Sequence, residues 1–305
     1  MGKLLVIGSS NRDLIMQVNH LPLPGETVGE GNYHSVNGGK GANQAVAAAR
    51  AGGNVMFLSA VGEDSFGDEM LEAFKNDGID TSYILRSGKS PTGTAMIFVE
   101  GSGENCIGVA PGANFDLLPE HISGSKQLFE EADFILLQME IPMPTIYAAI
   151  DMAKDCGCFV ILNPAPASKI DDNHLKKVDL LIPNETEAEI LSGTKEGGTD
   201  SVSNLIQSGV EKIILTQGSS GCTLYSGSNN KHFEALKVEA VDTTAAGDVF
   251  CGNLAARLAA GDLLEDAIAF AIGASAIAVT RLGAQPSAPQ FTEVRDLLNQ
   301  KNRRQ

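Results

Sequence analysis

The chain has 305 residues, a net charge of −16 and no tryptophan. That length suits one large α/β domain with at most a small appendage. The charge disfavours nucleic acid and anionic membranes as partners and fits a cytoplasmic protein with a small-molecule substrate. In chain order, residues 4–7 form an apolar run ending in Gly8-Ser9-Ser10-Asn11, far too short for the apolar core of an export signal. Residues 14–36 lean towards β-structure around Pro22, Pro24 and Gly25, and glycines at 38, 39 and 41 lead into a helical pattern over 43–51. A second helical pattern covers 66–77. Residues 93–109 alternate around Gly101-Ser102-Gly103-Glu104-Asn105 and predict a hairpin. Apolar runs at 134–137, 159–162, 180–182 and 213–215 end in Gln138-Met139-Glu140, Asn163-Pro164, Pro183-Asn184 and Thr216-Gln217-Gly218. Helical patterns over 145–155 and 185–192 lie between them, and a further strand spans 222–225. The last third predicts helices over 249–260 and 263–280, the second apolar enough to be buried, and a solvated basic end from Lys301 to Arg304. No run approaches a transmembrane span.

Continuously apolar strands alternating with helices predict a mostly parallel sheet covered on both faces. Ligands of such sheets collect beyond the carboxyl ends of the strands. Those ends carry Asn11, Asp13, Glu140, Asn184, Glu187 and Thr216, so polar groups gather where a crevice is expected. The β-leaning segments outside this rhythm predict a small sheet lying over the crevice. The expected division is a body of residues 1–13, 38–92 and 110–305 and a lid of 14–37 and 93–109. Cys106, Cys156, Cys158, Cys222 and Cys251 are scattered, and Cys156-Gly157-Cys158 is too tight for the usual zinc spacing. Reduced thiols are expected.

The stretch Val241-Asp242-Thr243-Thr244-Ala245-Ala246-Gly247-Asp248 carries the most chemistry. A helix start leaves backbone N–H groups unpaired and partly positive, and small residues there let a bulky anion approach. Asp248 in the same turn is placed to take a proton from an attacking hydroxyl, which together equips the turn for phosphoryl transfer to an alcohol. The plainer alternative is an Asp that complements the helix dipole. Asn37-Gly38-Gly39-Lys40-Gly41-Ala42-Asn43 is neither a Walker A site, since His34 and Gly41 stand where Gly and Ser/Thr are needed, nor a dinucleotide fingerprint, since Gln44 follows Gly39 and Gly41.

Those two glycine-bearing stretches resemble the paired signatures of the ribokinase-like (PfkB) sugar kinases. The resemblance runs nearly end to end, from Gly8-Ser9-Ser10-Asn11-Arg12-Asp13 through Pro183-Asn184-Glu185-Thr186-Glu187 to residues 280–287. It implies a three-layer α/β sandwich with a central mostly parallel sheet and a small β-sheet lid. It also implies ATP-dependent phosphorylation of D-ribose at O5, with Asp248 as base and the N–H groups of Ala245, Ala246 and Gly247 as anion hole. Asn11, Asp13, Gly39, Lys40, Asn43 and Glu140, with Asp248, are implied for the sugar. Thr216, Gln217, Gly218, Ser219, Ser220 and Gly221, with Asn184, Gly247 and Asp248, are implied for ATP, and the helix around Ile272 for adenine. Asn184 and Glu187 are implied to hold Mg²⁺ through water, and their spacing equally fits a capping box. K⁺ is implied at the side chains of Asp242 and Ser287 and the carbonyls of Thr244, Ala278, Arg281 and Gly283. A homodimer through the lid, with Ile97 and Val99 in contact, completes the set. Alternatives are a sibling kinase for 2-deoxyribose or adenosine, or a sugar sensor without catalysis. In deoxyribose kinases the resemblance implies an apolar residue where Asn11 stands. A fructose-phosphate kinase needs cations for the second phosphate, and the sugar loops offer only Arg12 and Lys40.

Overall fold

The computed structural model describes residues 2–101, 104–194, 199–227 and 229–302. Ser102 and Gly103 of the expected hairpin turn, and the tail beyond Asn302, lie outside the described residues. The strands are β1 (Lys3–Ile7), β2 (Asn11–Val18), β3 (Asn32–Gly38), β4 (Asn54–Gly62), β5 (Ile84–Ser87), β6 (Gly93–Glu100) and β7 (Asn105–Ala110). They continue as β8 (Phe134–Leu137), β9 (Phe159–Leu162), β10 (Leu180–Leu181), β11 (Lys212–Thr216), β12 (Cys222–Ser226) and β13 (Asn229–Phe233). Nine form one sheet in the order β13-β12-β11-β10-β9-β8-β1-β4-β5. Its pairings are parallel except those of β12 with β11 and β13.

Alternation along the strands explains the layering. Leu4, Val6, Leu136, Ile161 and Ile214 join one buried cluster with Ala45, Ala48, Leu254 and Ala271. Leu5, Ile7, Ile135, Leu137, Val160 and Ile213 join a second with Leu128, Ile146, Ile150 and Leu205. A strand buried on both faces reads as an unbroken apolar run, and the helices sandwich the sheet. Strand order reverses between β1 and β8, so the loops after these two strands flank the switch point where α/β sheets bind ligands.

β2, β3, β6 and β7 form a separate sheet in the order β3-β2-β6-β7. The 93–109 segment is an antiparallel pair as expected, and β2 pairs with β6 in parallel. β2 starts at Asn11, so Asn11 and Asp13 stand on this second sheet and not in a corner closing β1. The chain changes sheets within three residues, because β1 ends at Ile7 and extended backbone resumes at Asn11.

Two helices set the floor of the crevice. Lys40–Arg50 and Ala246–Ala259 pack through Ala45, Ala47, Ala48, Gly252, Ala255 and Ala256. A Cβ on Gly252 would lie 2.3 Å from the Gln44 carbonyl oxygen and 2.8 Å from Ala47 Cβ, so only hydrogen permits this approach. The first helix begins three residues before the predicted start and the second likewise, at the small residues that precede each apolar run. Arg50, at the far end of the first helix, donates to both oxygens of Asp77 (2.7 and 3.0 Å) and to the carbonyls of Gln285 and Ala288. It ties the 285–288 turn to the same helix. Gly252→Ala is expected to cost about 1–3 kcal/mol of stability through overpacking, outweighing the better helix propensity of alanine. Urea unfolding measures this, and an unchanged or raised midpoint would contradict the packing argument.

Candidate active site

Asp248 lies in the first turn of the Ala246–Ala259 helix and is 6% exposed. Its Oδ2 accepts from Asn43 Nδ2 at 3.0 Å and its Oδ1 from Gln44 Nε2 at 2.9 Å. Both donors come from the neighbouring helix across the Gly252 contact. Ala245, which caps the helix, has φ 59°, a left-handed conformation uncommon for a residue with a Cβ. That kink turns the chain into the helix. Ala246 N–H points to the Thr243 carbonyl at 3.2 Å, so it is not a free donor here. Among the described residues no protein acceptor meets the N–H of Gly247 or Asp248. Gly247 is exposed, and a Cβ there would meet nothing within 4 Å. The turn thus presents open backbone donors beside a buried carboxylate.

The loops at the switch point supply the opposite wall. Glu140 Oε2 accepts from Ser9 Oγ at 2.5 Å and from the Lys40 N–H at 2.9 Å, joining the loops after β1 and β8 to the helix start. Gly39, φ 88°, makes the bend that admits this helix. Asn11 is 5% exposed, and its Oδ1 accepts from Asn114 Nδ2 at 2.7 Å. Asn114 is fixed in turn by the Ser10 N–H, which donates to its Oδ1 at 2.8 Å. Asn43 is also buried, and its Oδ1 has no partner among the described residues. Arg12 alternates to the other face of β2 from Asp13. It donates to Asn37 Oδ1 (2.7 Å) and Ser35 Oγ (2.9 Å) and pairs with Glu69, so it is not offered to the crevice.

Four carboxylates share the crevice with one cation. Burial, then the charges of Glu140 and Asp248, push Asp13 up to about 7 against the pull of Lys40 and Arg12. Lys40 is raised above its ordinary value by Asp248 first, with Glu140 and Glu187 adding, against burial. Glu187 is raised by burial.

Asn184 and Glu187 form the capping box of the Glu185–Ser192 helix. Asn184 Oδ1 accepts the Glu187 N–H (2.8 Å) and Glu187 Oε2 accepts the Asn184 N–H (2.9 Å). An isolated bridge joins Asn184 to Thr216, which ends β11. Beyond it, Gly218–Ser220 makes one short turn, closed by Gln217 N–H to the Gly221 carbonyl at 2.8 Å. Ile272 is half-buried and packs on the core. Asp242 spans two loops, accepting from the Thr244 N–H at 2.8 Å and the Gly283 N–H at 2.9 Å. Burial raises its pKa, but these bonds hold it below the usual carboxylate value. The Ala278 carbonyl accepts the Arg281 N–H at 2.9 Å, and Ser287, fully buried, donates to the Ala284 carbonyl at 2.7 Å. Asp242 and Ser287 share no hydrogen bond.

The sequence matches the description "pfkB family carbohydrate kinase" over residues 1–290. The chain belongs to this family. Among its relatives, a ribokinase of Staphylococcus aureus is 40% identical over 96% of this chain and 98% of its own length. A deoxyribokinase of Salmonella typhi is 36% identical over 97% of this chain and 98% of its own. The structure of an Arabidopsis thaliana ribokinase complexed with ribose and ATP superposes with a TM-score of 0.91, at 32% identity, over 97% of this chain and 98% of that one. In the candidate site, Gln44 and Asn114 bond Asp248 and Asn11, and no sequence motif marks either of them. Their only signal was polarity inside apolar surroundings.

The raised Asp13 gives a signed pH dependence. An acid whose folded value stands at about 7 keeps a proton that the unfolded chain has lost above about 3.9. Its stabilising contribution is fully present below that lower value and is lost as pH rises through about 7. Thermal denaturation of the unliganded protein across this range should show stability falling with pH, and Asp13→Asn should flatten that fall. An unchanged slope in Asp13→Asn would contradict the assignment.

Proposed function

We propose that the protein transfers the γ-phosphoryl group of ATP to O5 of D-ribose. The observation that carries the reading is the Asp248 turn, where a buried carboxylate held by the sugar-loop helix stands beside open backbone donors. Asp248 takes the proton of the 5-hydroxyl as that oxygen attacks phosphorus. The N–H groups of Gly247 and Ala245, with that of Ala246 once released from Thr243, receive the charge on the transferring oxygens. Asn43 Oδ1, Asp13 and Glu140 are acceptors for sugar hydroxyls, and Lys40 with the Gly39 bend closes the same wall. Asn11 accepts from Asn114 through its oxygen, which leaves its amide N–H₂ for a secondary hydroxyl. The residues 216–221, with Asn184, serve the nucleotide phosphates, and the helix around Ile272 lies on the adenine side.

Glu187 has one carboxylate oxygen engaged by the Asn184 N–H, and the pair fits a water-retaining Mg²⁺ that needs few protein ligands. Bound there, Mg²⁺ would neutralise charge on the β- and γ-phosphate oxygens. Asp242 and Ser287, with the carbonyls of Thr244, Ala278, Arg281 and Gly283, would hold K⁺. The Asp242 bridge between the two loops supports that donor set and links it to the turn that carries the anion donors.

The β2-β3-β6-β7 sheet is read as a lid; the expected division was 14–37 and 93–109 on a body of 1–13, 38–92 and 110–305, and the sheet itself also takes in residues 11–13, Gly38 and Ala110. Register places Asp13, Ile15, Ile97 and Ile107 on one face, and Ile107 and Val109 are 53% and 59% exposed on the edge strand β7. An edge of this kind is poorly stable alone, which supports pairing of two lids, Ile97 and Val99 included, in a homodimer. Among the described residues no helix is long and apolar enough to cross a membrane.

The test is ATP turnover with D-ribose and 2-deoxyribose in the wild type and in Asp248→Asn. The variant should bind both substrates and lose about two to four orders of magnitude in kcat. Ribose should be preferred about tenfold or more, because 2-deoxyribose leaves a buried polar group unpaired. Wild-type turnover in folded Asp248→Asn removes the base, and equal kcat/KM for the two sugars removes the specificity. Replacing K⁺ by a bulky organic cation at constant ionic strength should lower kcat with little change in KM. Indifference to that exchange, or a full K⁺ response in Asp242→Ala, would rule the cation site out.

A further inference from the structure

Adjoining Asp248 is a buried chain of three carboxamides. Gln44 and Gln138 have no exposed surface and Asn163 is 8% exposed. Gln44 Nε2 donates to Asp248 Oδ1 (2.9 Å) and to Asn163 Oδ1 (3.0 Å), while its Oε1 accepts from Gln138 Nε2 at 2.6 Å. Asn163 Nδ2 donates to the Ile182 carbonyl at 2.9 Å. The two acceptor-only ends, a carboxylate and a backbone carbonyl, fix which way each amide of the chain points. Gln138 and Asn163 stand just beyond the carboxyl ends of β8 and β9, so the central sheet itself anchors the chain. Space for it is made at Gly8, where a Cβ would lie 2.0 Å from Gln138 Oε1.

We propose that Gln44 is a positioning residue for the phosphoryl-transfer step, acting through Asp248 and touching neither substrate. The carboxylate has two anchors of different kinds. Asn43, on Oδ2, borders the sugar wall and carries an unpartnered oxygen, so substrate can compete for its amide. Gln44, on Oδ1, bonds only interior partners and is unaffected by what enters the crevice. It therefore sets the rotation of the carboxylate in the free and the loaded enzyme alike and directs the other oxygen to the hydroxyl. A buried network of this kind, paired among the described residues at every polar atom except Gln138 Oε1, holds such geometry well, and an error of about 1 Å at a reacting group costs about a hundredfold in rate. Lys40, Asp13, Glu187 and Cys251 also face Asp248, and all are left in place by the substitutions below.

This inference rests on the reading of Asp248 as the base, and a double-mutant cycle separates the two. Gln44→Met, close in volume and without a donor, should lower kcat about ten- to a hundredfold and leave the KM of ribose and of ATP within about threefold. In the Asp248→Asn background the same substitution should cost nothing further, because the group it acts through is gone. A purely structural role would lower turnover by the same factor in both backgrounds. Losses that multiply, or an unchanged kcat in folded Gln44→Met, overturn the positioning role alone. Full turnover in Asp248→Asn overturns the base reading instead. Should Gln44→Met not fold, the cycle is run with Gln138→Met, which removes the donor orienting Gln44. The same dependence on Asp248 is expected with a smaller loss, and multiplying losses again overturn the proposal.

Discussion

The arrangement depends on how closely the Lys40–Arg50 and Ala246–Ala259 helices approach. Their contact is lined by alanines and by Gly252, whose missing Cβ lets the Gln44 carbonyl come within packing distance. Because both helices begin at the crevice, this approach brings Asn43 and Gln44 of one onto the Asp248 carboxylate of the other. The same helix starts carry the two glycine-bearing stretches. One contact therefore sets the proposed sugar wall against the turn of the proposed anion donors, and a larger side chain at the contact would move both.

The second constraint is charge. Asp13, Glu140, Asp248 and Glu187 converge around Lys40, and burial pushes Asp13 and Glu187 above their ordinary values. The resulting field suits a ligand rich in hydroxyls, which donate to carboxylates, and opposes a bare polyphosphate. ATP can share the crevice when cations offset its charge and when backbone N–H groups meet the phosphates directly. The removal of Arg12 to the outer face of β2 fits this picture, since it leaves the sugar wall without a second cation for a phosphorylated substrate.

Much of the layering was legible in the sequence because strands covered on both faces are unbroken apolar runs. The exceptions have physical reasons. β4 is interrupted by Ser59, which is buried and hydrogen-bonded to Ser10, β5 is only four residues long and ends in the polar pair Arg86-Ser87, and β13 is an edge strand whose polar residues face solvent. The amphipathic Phe291–Asn302 helix agrees with the helical character expected of the C-terminal third. At the site, short motifs pointed to Asp248, Asn43, Asn184 and Glu187, because spacing within one helix turn survives in the linear chain. Gln44 and Asn114 gave no such signal. Their partners are Gln138, 94 residues from Gln44, and Ser10, 104 residues from Asn114, and only the fold brings them together. The sequence pattern sets Asn11 and Asp13 at a strand end, whereas they belong to a second sheet, since nothing local marks a change of sheet in extended backbone.

The most direct test of the central claim is a crystal structure of the protein with D-ribose and a non-hydrolysable ATP analogue. The account predicts the 5-hydroxyl within about 2.6–3.2 Å of an Asp248 carboxylate oxygen, with the terminal phosphate on the Gly247 turn. Gln44 should still hold Oδ1. A sugar bound with O5 directed away from Asp248, or a phosphate seated elsewhere, would contradict it.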